Sequence, residues 1–551
     1  MVYCMVGWYM RIFLCVGCVV SFACRDTNPK TMVETPWETI STHQCGTGST
    51  KHFQSSSLGG EFQQPDVGPS NDSAWGLSVH DFNGDGLWDI FVPLYDQPDQ
   101  LFFGSADHLA QDVSSRLPTL STPRLSKGST AVDIDDDGDI DILVAAEKGA
   151  YIYINDGAGS FALVLAEDIW DIPTNIEVSQ RQISVADVDK DGYLDLFIPT
   201  FYNSIQDQVE EPIPPPNLLL WGGEYRWSNY GSWNSDLENT PANAGGWVDI
   251  DNDGDQDLCV VNDKPSLGFL SGVLRNRSER ELTEYRERGL DFFIEGMGLA
   301  WGDINLDNQI DLAITGWGDF ALAINDGNNY WYEDSLNWNL LSSPNHVVGW
   351  GIEMMDVDND GDQDIVVANG TKYNLDGTLG GDASVDLLQN TLEQYFAVFL
   401  NQIHSDYPSE VFLAQENTDW SIDTPGVYRG FAVVDWNQDG YLDIIARDLG
   451  NNVQYFASSC AEDRSIIIRL QQPFPNQEAI GARIWVRDGQ GSSQFRDIQA
   501  GSSNIASSSP PIAHFGVGQQ STVDIDIRWP NGDWQYLTDI PTGQTVLIHK
   551  R

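Results

Sequence analysis

From about residue 74 onward the chain alternates short apolar runs with polar bends. Runs such as Ile90-Phe91-Val92, Ile142-Leu143-Val144 and Ile365-Val366-Val367 are short and rich in β-branched side chains. Runs of that kind predict buried strands. Each follows an acidic bend. Ahead of the bends lie small and apolar stretches, for example residues 74–79, 246–248, 297–302 and 430–434. Glycine and small side chains there predict a strand crowded against an axis. Beyond each run comes a polar gap and a second short run, as at 100–104, 151–155, 217–221, 321–325 and 396–401. Two of these lead into Asn-Asp-Gly, at 155–157 and 325–327, a strong hairpin signal.

The bends begin roughly 50–60 residues apart, with a last interval of nearly 80. That period suits four-stranded blades set radially. The expected fold class is therefore all-β, a seven-bladed β-propeller followed by a small C-terminal β-sandwich. The expected division is a leader over 1–24, a linker over 25–45, the propeller over 46–460 and the sandwich over 461–551.

The bends carry the chemistry. Seven nine-residue loops repeat one carboxylate pattern, at 81–89, 133–141, 187–195, 249–257, 303–311, 356–364 and 435–443. Position 1 is Asp81, Asp133, Asp187, Asp249, Asp303, Asp356 and Asp435. Position 3 is Asn83, Asp135, Asp189, Asp251, Asn305, Asp358 and Asn437. Position 5 is Asp85, Asp137, Asp191, Asp253, Asp307, Asp360 and Asp439. Position 9 is Asp89, Asp141, Asp195, Asp257, Asp311, Asp364 and Asp443. Side-chain oxygens on alternate residues of a tight loop can converge on one hard cation, and Ca²⁺ takes six to eight of them. Position 6 is Gly in every loop but the fifth, which has Asn308, so a positive φ is expected there. Position 7 is chemically mixed, as expected if only its carbonyl faces the ion. An EF-hand would need Glu at position 12, and no loop has one.

This pattern resembles the FG-GAP/VCBS repeat family of calcium-loop propellers, over roughly residues 70–460. The resemblance implies Ca²⁺ ligands at positions 1, 3, 5 and 9, up to seven structural ions, and weaker binding at the fifth loop, where Asn308 departs from the pattern.

Beyond Cys460 the loops stop and alternating strands take over, at 465–470, 482–487, 522–529, 534–537 and 545–549. Residues 476–483 (NQEAIGAR), Ala500-Gly501, 514–518 (HFGVG) and 528–532 (RWPNG) resemble the ASPIC/UnbV domain of cartilage acidic protein 1-like proteins. That resemblance implies architecture, not activity.

Composition narrows the function. The 551 residues include 82 acidic and 28 basic side chains, a formal charge of −54. Seven divalent ions would offset 14 of those charges. Such a surface repels nucleic acid and anionic lipid headgroups. The first 24 residues are apolar with one charge, Arg11, and fit a secretory leader. Residues 20–24 (VSFAC) loosely match a lipobox, making Cys24 a lipidation candidate, with ordinary cleavage the other outcome. No second membrane segment is present. Of the remaining cysteines, Cys259 reads as a buried small hydrophobe. Cys45 and Cys460 bracket the propeller, and a disulfide between them would tie its ends in an oxidising compartment.

No zinc spacing, nucleophile elbow, phosphate loop or dinucleotide fingerprint occurs. His80 and His514 read as structural. Trp221, Trp227, Trp233, Trp331 and Trp338 read mainly as packing, with sugar or partner stacking the other reading. Insertions at 206–216 and 369–384 are candidate partner loops. The expectation is an exported, secreted or lipid-anchored, non-catalytic calcium-binding monomer that recognises a protein or glycan partner at the cell surface. The other reading is a calcium-dependent polysaccharide lyase, which would show a basic pair beside an open ion position.

Overall fold

The computed structural model describes residues 36–43, 53–59, 62, 74–119, 124–147, 149–165, 168, 170–171, 179–202, 214–223, 227–229, 233, 235–277, 280–285, 288–340, 347–370, 394–403, 412–414, 421–449, 453–458, 463–489 and 491–551. The leader, Cys24, Cys45, Cys460 and most of both insertions lie outside them. Residues 36–551 form one compact unit.

Strand, loop, strand, hairpin, strand is the repeating unit. In one sheet Ala242–Val248, Asp257–Asn262, Gly272–Asn276 and Leu282–Glu284 pair antiparallel in chain order. The carboxylate loop joins the first two strands. Among the described residues seven sheets carry such a loop. The last, Tyr428–Val434, Asp443–Asp448 and Val453–Ser458, takes its fourth strand from Phe53–Ser56 near the start of the chain. The first strands pack side by side from sheet to sheet, and Ser78–His80 meets Tyr428–Val434, closing the ring. These observations define a β-propeller. Apolar clusters fill the gaps between neighbouring sheets; one joins Ala300, Ala313 and Leu322 to Ile352, Ile365 and Phe399.

The C-terminal sandwich has two four-stranded sheets. One runs Trp37–Thr42, Gln544–His549, Arg464–Gln471, Ala513–Gly518; the other runs Ser493–Asp497, Arg483–Arg487, Thr522–Arg528, Trp534–Pro541. Trp37–Thr42 falls inside the span read as a linker. It is an edge strand whose central residues are exposed, so it lacks the apolar alternation by which strands are recognised.

One segment leaves the sandwich and enters the axis. Residues 500–509 (AGSSNIASSS) touch the innermost strand of sheet after sheet. Val185 donates to Ala500 O (3.2 Å), Ser129 to Ala506 O (3.1 Å), Val79 to Ser508 O (3.0 Å), and Asn504 to Leu299 O (2.8 Å). Ile505 and Ala506 cluster with the edge-on pair Trp75 and Trp350. Gly76 and Gly246 are required by this approach, because a Cβ on either would overlap the carbonyl of Ala506 or Ser502.

Candidate metal centre

Each loop winds around its position-1 carboxylate. In the first loop Asp81 Oδ1 accepts from the Asp85 N–H (3.1 Å) and Oδ2 from Gly86 (2.8 Å). Loops five and seven repeat both bonds, from Asp307 and Asn308 to Asp303 and from Asp439 and Gly440 to Asp435. Two left-handed residues make the curl. Position 6 has φ between +86° and +104° at its glycines and +64° at Asn308, so the fifth loop reaches the same turn. Position 4 is left-handed as well, even at Leu306 (φ +60°) and Gln438 (φ +58°). Its mixed chemistry gave no sequence signal.

Position 9 opens the second strand and is fully buried. Its carboxylate clamps the hairpin. Asp257 Oδ2 accepts from Ile250 (3.0 Å) and Oδ1 from Asn276 on the third strand (2.7 Å). Asp89, Asp141, Asp195, Asp311, Asp364 and Asp443 do the same.

The structure brings Asp133, Asp135 and Asp141 together, as it does Asp187, Asp189 and Asp195, Asp249, Asp251 and Asp257, and Asp356, Asp358 and Asp360; one oxygen from each member lies within 4.8 Å of the others. In the remaining loops position 3 is Asn83, Asn305 or Asn437, whose amide oxygen accepts the position-5 N–H in the same curl. Burial pushes these carboxyls up, and neighbouring carboxylates add to it. Asp89 and Asp443 rise to about 8, Asp187 and Asp133 to about 7, and Asp257, Asp356 and Asp435 well above the usual range. Asp249 Oδ1 and Asp356 Oδ1 are buried without a hydrogen-bond partner. An all-oxygen donor set with clustered charge and unpartnered inward oxygens fits a hard divalent cation.

Two stretches match known family models: residues 133–198 match the FG-GAP-like repeat, and residues 473–551 match ASPIC and UnbV. The chain carries an FG-GAP-like repeat and an ASPIC/UnbV domain. The matched FG-GAP-like stretch spans the second and third loops. No curated protein matches the chain. Solved structures similar to it include a rhamnogalacturonan lyase from Bacillus licheniformis (11 % identity, 75 % of this chain, 76 % of that one, TM-score 0.38). An Agrocybe aegerita lectin described as recognising non-reducing terminal N-acetylglucosamine is another (14 %, 71 % and 91 %, TM-score 0.37). The Dos1 propeller is a third (10 %, 76 % and 96 %, TM-score 0.38). Likeness at this level bears on neither ligand nor activity.

The ASPIC/UnbV domain lies across the loops. Gln477 Nε2 reaches Asp133 Oδ2 (3.4 Å) and Asn476 N–H donates to Asp136 (3.0 Å). Arg528 pairs with Asp249, and Arg483 donates to the Asp249 carbonyl (3.1 Å). Gly518 N–H donates to Asn359 O (3.0 Å), and His514 Nε2 to Gly440 O (3.1 Å). A cavity of about 110 Å³ remains beside the sixth loop, lined by Glu353, Asp356, Gln363, Arg496, Ser503 and His514.

Several site residues escaped the sequence reading. Asp362, at position 7 of the sixth loop, buries its carboxyl and not only a carbonyl; burial and the surrounding carboxylates push it up to about 10. Arg275 pairs with Asp251 and Asp253, and Arg280 with Asp189. Both lie in the hairpin on the loop side of their sheet, the side that strand order alone assigns them. Asn155, Asn276 and Asn401 end third strands and donate to the position-2 carbonyls of the preceding loop, Phe82, Val188 and Ile304 (2.8–2.9 Å).

The remaining candidates are hydrogen-bonded or buried within the scaffold. His80 Nε2 bonds Glu478 (2.8 Å), and burial lowers His514 to about 3, keeping it neutral. Trp221, Trp227, Trp233, Trp331 and Trp338 are buried in the scaffold. Cys259 is a free, buried thiol. No helix among the described residues is long and apolar enough to cross a membrane.

Proposed function

We propose that this protein is an exported, non-catalytic calcium-binding propeller that recognises a protein or glycan partner at the cell surface. Its loops hold up to seven Ca²⁺ ions as structural bolts. The observation that carries the reading is the pair of buried, unpartnered oxygens, Asp249 Oδ1 and Asp356 Oδ1, each within a converging carboxylate set. Flexible all-oxygen loops suit Ca²⁺ better than Mg²⁺, which demands near-ideal octahedral geometry. Bound ions would supply charge neutralisation and fix the loop backbone.

The basic residues beside the loops act in this reading as counter-ions to the loop carboxylates. Arg275 and Arg528 both pair with the fourth loop, at Asp251, Asp253 and Asp249, and Arg280 pairs with Asp189 of the third. With the ASPIC/UnbV domain across the loops, partner recognition falls to the opposite strand ends. There Leu267, Phe293, Trp317 and Tyr395 are exposed. Export by the 1–24 leader, with or without a lipid on Cys24, belongs to the same proposal.

Calcium calorimetry on chelator-stripped full-length protein is the test. Several ions should bind, and the melting temperature should fall by roughly 10 °C or more in excess chelator. An unchanged melt with no heat of binding would remove the metal reading.

A further inference from the structure

The innermost strand of every propeller sheet is a sheet edge, so its outward backbone groups need partners. Residues 500–509 supply them. Besides the bonds already given, Ser508 N–H donates to Leu77 O (3.0 Å), Leu77 N–H to Ser507 Oγ (3.2 Å) and Val433 N–H to Ser509 Oγ (3.0 Å). Asn504 Nδ2 donates to Phe431 O (2.9 Å), and Gln182 Nε2 to Gly501 O (2.5 Å). The segment is buried along nearly all its length. Small side chains, one asparagine and one isoleucine occupy it, which suits a narrow channel read through main-chain and short polar side-chain bonds.

We propose that the propeller axis is a binding site for a bent, small-residue peptide segment, left-handed at Gly501, Asn504 and Ala506, that residues 500–509 are its resident ligand, and that cations in the loops keep it seated. The last clause rests on the metal reading above. The segment enters from the domain whose other contacts grip the loops by their backbone: Arg483 on Asp249 O, Gly518 on Asn359 O, His514 on Gly440 O. Those grips need the curled loop shape. Stripped of cations, three to six carboxylates crowd each loop and disfavour the curl. Arg483 and Arg528 would still attract an anionic face, so charge alone does not release the domain. Loss of loop shape does, and the axial segment leaves with its anchor.

Hydrogen exchange read by mass spectrometry on the full chain, at one pH, in calcium and in chelator, tests this. In calcium the amides of residues 500–509 should be protected. In chelator they should exchange about ten-fold faster or more, while strand Asp364–Asn369 keeps its protection. Unchanged protection at 500–509 after calorimetry shows the ions gone would overturn the gating. Equal loss in the blade strands would overturn it too, because that is global unfolding. Asn504→Ala tests the axial site alone: exchange at 500–509 should quicken in calcium with the ion stoichiometry unchanged, and unaltered exchange would overturn the site. If no calcium binds at all, the metal reading and the gating fall together, and Asn504→Ala still decides the axial site.

Discussion

Ser503 Oγ donates to Glu353 Oε1 at 2.9 Å, tying the axial segment to the inner strand Gly349–Met355. Glu353 is buried, and burial raises its carboxyl from 4.5 to about 7 although Ser503 and Asn504 pull it down. A raised folded-state carboxyl contributes stability below its unfolded value, near 4.5, and loses that contribution as pH rises through about 7. Glu353→Gln keeps the accepting oxygen and removes the ionisation. The variant should match the parent near pH 4.5 and exceed it by about 3 kcal/mol at pH 8, from 1.36 kcal/mol per pH unit. Urea unfolding in calcium at both pH values measures the difference.

Asp99 offers a second pH-dependent test, remote from the loops. It accepts from Tyr151 (2.5 Å), Tyr153 (3.0 Å) and the Leu94 N–H (2.8 Å), joining two neighbouring sheets. Burial raises it to about 6 against the pull of those donors. Tyr153→Phe removes a bond that favours the ionised form. It should cost about 2 kcal/mol at pH 8, where the carboxylate is charged, and clearly less at pH 4. Equal losses at both pH values would mean that the ring's packing, not the hydrogen bond, carries the effect.

Strand, loop and repeat were legible because each signal was local. Position 6 announces its left-handed turn by glycine, and runs such as Ile365-Val366-Val367 announce their burial. What the sequence hides is long-range. Residues 502–509 (SSNIASSS) are mostly small and polar with no strand alternation, yet nearly all are buried in the axis, because partners from several sheets satisfy their backbone. Arg483 and Arg528 alternate with apolar residues as solvent-facing positions would, and are instead turned to the loops. The left-handed position 4 is invisible for another reason. Gly84, Asp136, Lys190 and Leu306 all adopt it, held by the bonds to position 1.

The fifth loop separates turn chemistry from ligand chemistry. Asn308 holds φ +64° and donates its N–H to Asp303 Oδ2 (2.9 Å) as the glycines do in the other loops. Asn308→Gly should leave the melting temperature within a degree or so. Asn308→Ala should cost about 1 kcal/mol, because alanine lacks asparagine's tolerance of the left-handed region. Differential scanning calorimetry in saturating calcium distinguishes them. An alanine variant as stable as the glycine one would show that the loop, not the residue, fixes this conformation.

Trp37–Thr42 should matter more than its exposed face suggests. It covers the edge of Gln544–His549, whose other side pairs with Arg464–Gln471. His43 extends the cover, donating its N–H to Gly543 O (3.0 Å). A chain beginning at residue 44 loses that strand and leaves Gln544–His549 as a bare edge, open to pairing with another molecule. Compared with a chain beginning at residue 25, it should melt lower and self-associate with rising concentration in sedimentation velocity. Since Arg464–Gln471 pairs with the strand Ala513–Gly518 that places His514 over the seventh loop, loosening this edge should also weaken calcium binding there. A truncated chain that stays monomeric with an unshifted melt would show that the sandwich closes without its first strand.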